Sequence, residues 1–183
     1  MKIFLDTADI SLIEQYYGTG LIDGVTTNPT LIKKSGYGPE EVYRKIALIG
    51  VDDISMEIVT DDSYEFLKEG RRLKEKFGEI TTIKVPCTPE GLKGCKLLSK
   101  EGIRVNVTLI FSAAQAVLAS KAGAAYVSPF VGRVDDNSFD GLSLIEEIAD
   151  IYEKQSRLYN FVDTEILSAS IRNVGSVSKS FEY

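Results

Sequence analysis

Short apolar runs alternate with longer stretches whose apolar positions recur every three or four residues. The runs predict strands over Lys2–Asp6, Gly24–Thr27, Ile54–Val59, Ile80–Val85, Val105–Leu109 and Ala125–Ser128, with a broader seventh over Phe161–Ser170. Between them, Leu12, Ile13, Tyr16 and Tyr17 make one helical face, and Val42, Ile46 and Ile49 make a second. Phe66, Leu67, Leu73 and Phe77 mark a third. The fourth helix has clear limits: Thr88 can cap it, Pro89 and Glu90 suit its first turn, and Gly102 can stop it. An alanine-rich fifth runs from near Ser112 to Gly123, and a sixth carries Leu144, Ile145, Ile148 and Tyr152.

Strands that alternate with helices imply a parallel sheet covered by helices. A doubly wound sheet and a (β/α)8 barrel both satisfy that pattern. The polar residues decide between them. Asp6, Asn28, Glu57, Lys84, Asn106, Thr108, Ser128 and Ser170 all fall at or near the C-terminal ends of strands. In a barrel those ends converge on one mouth, whereas along an open sheet only those near the switch point meet. The expected fold is therefore an α/β (β/α)8 TIM barrel, short at its C-terminus, with about seven βα units recognisable. Residues 1–183 read as a single domain, since no linker divides them.

Composition narrows the function. With 44% hydrophobic and 26% charged residues, the chain has an ordinary soluble balance. A net charge of −6 without a basic run disfavours nucleic acid or an anionic membrane as partner, yet leaves room for a phosphorylated substrate. Asp6 interrupts the N-terminal apolar run too early for a signal peptide, and no stretch reaches the roughly 20 apolar residues of a membrane span. Cys87 and Cys95 lack metal-ligand spacing and form no disulfide framework, so a cytoplasmic location is expected. There is no histidine. That removes Ser-His-Asp and Cys-His pairs, makes a catalytic zinc very unfavourable, and leaves acid–base chemistry to carboxylates, lysine, tyrosine or water.

Lys84 stands out because Ile83 and Val85 flank it. Burial strips hydration from an ammonium and favours the neutral amine, which can attack a carbonyl and form a Schiff base. The same lysine could instead snorkel outward, bind phosphate, or form a structural ion pair with Asp6 or Glu57. Asp6 could also serve merely as a cap for the first helix. Asp6, Glu57 and Lys84 together make a workable set for imine formation, proton transfer and imine hydrolysis. Arg133 and Arg172 lie just past strands, each near hydroxyl-bearing residues, which suits a phosphate monoester, though either could be a solvated surface charge.

Seven segments carry a family resemblance: FLDTADI (4–10), GVTTNPTLI (24–32), SMEIV (55–59), IKVPCTPEGL (83–92), NVTLIFSAAQA (106–116), YVSPFVGRVDD (126–136) and SASIRN (168–173). In order and spacing the chain resembles the transaldolase family, in its short branch with the fructose-6-phosphate aldolases. The resemblance implies a barrel with a Schiff-base lysine on strand four, here Lys84, and no cofactor or metal. It implies that Asp6 deprotonates the hydroxyl whose departure splits the sugar, and that Glu57 and Thr108 position the water of imine formation and hydrolysis. Asn28, Asn106 and Ser128 match positions that hold substrate and the lysine's surroundings; Arg133, Ser170 and Arg172 match phosphate-binding positions. Glu57 and Phe130 are the residues expected of transaldolases, where the aldolases carry glutamine and tyrosine.

The implied activity is transfer of a dihydroxyacetone unit in the pentose phosphate pathway, from sedoheptulose 7-phosphate to glyceraldehyde 3-phosphate, giving erythrose 4-phosphate and fructose 6-phosphate. A fructose-6-phosphate aldolase and an inactive, truncated sugar-phosphate-binding homologue are the alternatives. Phosphorylated sugars are the expected ligands, and the branch's rings of five, often paired into tens, imply a homo-oligomer. Family members continue for another strand and helix, and the polar 174–183 tail does not read as that strand.

Overall fold

The computed structural model describes residues 1–159 and 163–183. Its strands are β1 (Phe4–Asp6), β2 (Gly24–Thr26), β3 (Ile54–Glu57), β4 (Thr81–Pro86), β5 (Arg104–Ile110), β6 (Tyr126–Pro129) and β7 (Glu165–Ile166). All pair in parallel in the order β1-β2-β3-β4-β5-β6-β7, a curled sheet making seven strands of a (β/α)8 barrel. The intervening helices are α1 (Ile10–Tyr17), α2 (Pro29–Ser35), α3 (Pro39–Ile49), α4 (Ser63–Phe77), α5 (Pro89–Ser99), α6 (Ala113–Ala122), α7 (Val131–Asp135), α8 (Gly141–Tyr159) and α9 (Val174–Ser180). No helix among the described residues is long and apolar enough to cross a membrane.

Local chemistry sets these limits. Thr88 caps α5 by accepting from the Gly91 amide, and Ser112 caps α6, which Gly123 ends in the left-handed region. Asp9, and not Asp6, caps α1 through bonds from the Ser11 and Leu12 amides. Asp6 is thereby released from the capping role the sequence allowed it. Three helices fall outside the apolar pattern: α2, started by Asn28 and Pro29; the short α7; and α9, capped by Asn173. Val174–Ser180 of the polar tail is thus helical. The seventh strand is shorter than expected, two residues plus a bridge from Phe130 to Ala169, and Phe161 and Val162 lie outside the described residues. Ile80 belongs to a 3-10 turn, so β4 starts one residue later than predicted.

The core fills the space between sheet and helices. Ile54, Met56, Ile83, Val85, Val105 and Val107 are fully buried on the strands, against Ile13, Ile46, Phe66, Leu98 and Ile148 on the helices. Each such side chain contributes about 1.5–3 kcal/mol of transfer free energy. Cys95 packs there too, and burial pushes its thiol up to about 12, consistent with a packing residue.

The register explains how the barrel leans. In a parallel sheet, paired residues share a face. One such row runs Asp6, Thr26, Ser55, Thr82, Arg104; the next runs Glu57, Lys84, Asn106, Tyr126, Glu165. Each row starts at the C-terminal end of one strand and finishes at the N-terminal end of another. Strand tilt therefore carries a single face from mouth to floor.

Candidate active site

Lys84 occupies the middle of β4 and is 6% exposed. Its Nζ donates to the Thr27 carbonyl at 2.9 Å and lies 3.1 Å from Glu57 Oε2. Register makes that ion pair, since Glu57 and Lys84 are direct neighbours on adjacent strands. The backbone turns sharply just beyond: a Cβ on Gly91 would stand 2.0 Å from the Pro86 carbonyl oxygen, so α5 can begin this close to β4 only with glycine there.

Asp6 ends β1 and accepts from the Thr26 hydroxyl at 2.9 Å, with its side chain otherwise open to the mouth. Thr108 ends the regular part of β5, and its Oγ1 is buried without a protein partner. A bulge follows at once: the ladder to β6 shifts between Val107 and Ile110, and Leu109 takes a φ of 61°. Bulges at strand ends re-aim side chains, and a non-glycine residue at positive φ carries strain that the surroundings must offset.

One cavity of about 1130 Å³ collects these groups. Asp6, Asn28, Glu57, Lys84, Thr108, Ser128, Phe130, Arg133 and Ser170 all line it. Asn28 Oδ1 is engaged by the Leu31 amide at the start of α2, leaving the NH2 of that side chain as its donor. Arg133, on α7, sets its guanidinium 4.7 Å from the Phe130 ring centroid, and Phe130 meets Phe111 edge-on at 5.7 Å. Ser170 adopts a φ of 57° while its carbonyl accepts from the Gly132 amide at 3.1 Å.

Two expected site residues stand apart. Asn106 is fully buried beneath the mouth and does not line the cavity. It accepts from Ser128 Oγ at 2.8 Å and donates to Ser55 Oγ at 3.2 Å. Arg172 lies just outside the cavity lining, over Gly132, and forms a two-pronged ion pair with Asp136. That guanidinium holds Asp136 below the usual carboxylate range. A phosphate at Ser170 and Arg133 would have to share Arg172 with Asp136.

Three contacts were missed in the sequence: the Thr27 carbonyl on Lys84, the Thr26 hydroxyl on Asp6, and Ser55 beneath Asn106. Ser55 carried a signal, being polar and two residues before Glu57 in an otherwise apolar run. The Thr27 carbonyl carried none, because any residue has one.

The arrangement offers an amine next to a carboxylate, a second carboxylate across the mouth, an unpartnered hydroxyl and an arginine. Relatives fit it. A profile described as Transaldolase/Fructose-6-phosphate aldolase matches residues 3–181. Proteins named "Probable transaldolase" are 49% identical over 173 residues in Nitrosopumilus maritimus and 50% over 180 residues in Ruegeria pomeroyi. The first match covers 94% of this chain and 76% of the relative; the second covers 98% and 80%. Among solved structures, orotidine 5'-monophosphate decarboxylase from Methanocaldococcus jannaschii superposes with a TM-score of 0.58 at 15% identity, covering 100% of this chain and 96% of that one. A mutant flavocytochrome b2 gives 0.66 at 13% identity, over 98% of this chain and 53% of the other. At such identities these two speak for the barrel fold alone. The near-complete profile match and relatives at about half identity settle the lineage: this chain belongs to the transaldolase/fructose-6-phosphate aldolase family.

Proposed function

We propose that residues 1–183 act as one domain catalysing transaldolase chemistry through a Schiff base on Lys84. The observation that carries this reading is the buried Lys84 amine, 3.1 Å from Glu57 at the mouth of a cavity that Asp6 and Thr108 also line. Lys84 Nζ adds to the ketone carbon of the donor, and loss of water leaves an iminium. Glu57 is the adjacent base for the proton Nζ must shed, and with the free Thr108 hydroxyl it can hold the water that leaves and returns. Asp6 takes the proton from the C4 hydroxyl, the C3–C4 bond breaks, and its electron pair flows to the iminium nitrogen. The aldehyde departs, the retained three-carbon enamine adds to an acceptor aldehyde, and water hydrolyses the imine.

Donor and acceptor in this reading are sedoheptulose 7-phosphate and glyceraldehyde 3-phosphate. Arg133 and Ser170 supply the phosphate subsite, with Arg172 joining once its pairing with Asp136 is shared. Asn28 and Ser128 hold substrate hydroxyls. Phe130 presents a ring instead of a hydroxyl to the cavity that Lys84 also lines, which favours passing the three-carbon unit to an acceptor over releasing it free.

Borohydride reduction with fructose 6-phosphate, followed by peptide mass spectrometry, tests the proposal. The expected result is a three-carbon adduct on Lys84, absent from Lys84→Met. Folded protein without an adduct would sink it. Product formed without any acceptor would point to the aldolase reaction.

A further inference from the structure

The polar groups under the mouth include a chain of which the reading above uses only the outer end, Ser128. Ser55 on β3, Asn106 on β5 and Ser128 on β6 connect across the barrel interior at 3.2 and 2.8 Å. Ser55 and Asn106 are fully buried and Ser128 nearly so. Asn106 is also the direct register neighbour of Lys84 on the shared face. A side-chain amide has a donor end and an acceptor end, and in a buried site each needs a partner. Here the acceptor end takes the Ser128 hydroxyl proton and the donor end faces Ser55. With both ends engaged, the amide cannot swing about its terminal torsion, which is otherwise broad.

We propose that Ser55 is a positioning residue for the reaction, holding the Asn106 amide at the orientation that Lys84 and Ser128 require. Resting on the Schiff-base reading above, it adds a residue to that machinery. Ser55 touches no substrate, since Asn106 lies between it and Ser128, and Ser55 is absent from the cavity lining. Its influence therefore passes through Asn106. Without the Ser55 oxygen the amide has one anchored end and a buried N–H lacking its acceptor, and rotation to find another displaces both ends. Ser128, whose hydroxyl proton is given to Asn106, then loses its fixed orientation towards the cavity. Displacement of positioning groups by a fraction of an ångström is costly because the reacting atoms must meet within a narrow geometry.

The test compares Ser55→Ala, Ser55→Cys, Asn106→Ala and the double variant Ser55→Ala/Asn106→Ala, using full-length protein. Ser55→Ala is expected to lower kcat/KM for the donor about tenfold, with the acceptor KM unchanged. Ser55→Cys keeps the size but is a poor acceptor, so it should follow Ser55→Ala. In the Asn106→Ala background the Ser55→Ala change should cost nothing further, as expected of residues that act as a unit. Losses that multiply in the double variant, or an unaltered Ser55→Ala enzyme, would overturn the proposal. A second readout is independent of turnover: solvent exchange of the Asn106 side-chain NH2 protons, followed by NMR, should quicken at least about tenfold in Ser55→Ala. Exchange indifferent to the substitution would overturn the positioning role. Absence of a borohydride adduct on unsubstituted protein would instead overturn the Schiff-base reading.

Discussion

The two ends of the barrel interior use polar residues in opposite ways. At the mouth, Lys84, Glu57, Asp6 and Thr108 surround open space, and the Thr108 hydroxyl has no protein partner. At the floor, most polar groups bind one another, although Asp53 Oδ1 and Thr82 Oγ1 are also buried without a protein partner. Asp53, just before β3, accepts from Arg104 at 2.9 Å and from the Tyr126 hydroxyl at 3.0 Å through one carboxylate oxygen. Lys2 donates to Tyr126 at 3.2 Å and to Glu165 at 2.5 Å, and so reaches from the chain before β1 across to β7. No ladder joins β1 to β7 among the described residues, and this side-chain strap spans the gap. The two register rows contribute to both ends, Asp6, Glu57 and Lys84 at the mouth and Arg104, Tyr126 and Glu165 at the floor. The difference is that the mouth groups gather round one amine, Lys84, whereas the floor groups tie the N-terminal ends of separate strands to one another, the division between chemistry and stability expected of barrel ends.

If that division holds, substitutions at the mouth spare stability and those at the floor spare activity. The largest effect is expected at Asp6. Asp6→Asn should slow transfer on the order of 100- to 10,000-fold, the usual range for losing a positioned base. It should still give the borohydride adduct on Lys84, because imine formation precedes the step Asp6 serves. Loss of the adduct, or a fall in Tm as large as that of a floor variant, would blur the two ends.

Asp53→Ala comes next. It removes the shared acceptor of Arg104 and Tyr126 from a buried position, and urea unfolding should register a loss of about 2–3 kcal/mol. Donor kcat/KM should stay within about twofold of the unsubstituted enzyme, since contacts at the N-terminal face of a barrel serve stability rather than chemistry. A large kinetic defect would mean that the floor communicates with the mouth.

The smallest effect concerns the Lys2 strap. The Glu165 hydrogen bond raises the Lys2 ammonium above its ordinary range, and burial raises the Tyr126 phenol. For both, the folded state keeps its proton to higher pH than the unfolded chain. Their contribution is therefore complete below about pH 10 and lost as pH rises through the folded values. Lys2→Met should cost only about 0.5 kcal/mol at neutral pH, because the pair is largely solvated, and should flatten the alkaline limb of a Tm-against-pH curve. An unchanged alkaline limb would remove the strap from the account of ring closure.

Much of this was readable in the chain. Thr88, Ser112 and Gly123 mark helix ends because capping depends on one side chain and its near neighbours. What escaped did so for identifiable reasons. Asn28-Pro29 signals a helix start, yet α2 buries only Ile32 fully and so shows little periodicity. In α7, five residues are too few to show a period and Phe130 offers no cap. Asp6 could be read as the cap of α1 because it precedes that helix closely, but the backbone enters the helix at Asp9, which takes the Ser11 and Leu12 amides. For Arg172 the residue type was informative but its direction was not: Asp136, thirty-six positions away in sequence, takes the guanidinium.

By itself, the sequence determined the alternation of strands and helices, the supply of carboxylates, amine and hydroxyls at strand ends, and the absence of histidine that confines the acid–base groups to other types. These follow from period, local capping and composition, all of which act over a few residues. Tertiary structure alone decided which strand-end groups stand level. Strand tilt displaces each strand along its neighbour, so Glu57 meets Lys84 at the mouth while the same row descends through Asn106 to Tyr126 and Glu165 at the floor. That displacement is a property of the curled sheet, and no single strand carries it.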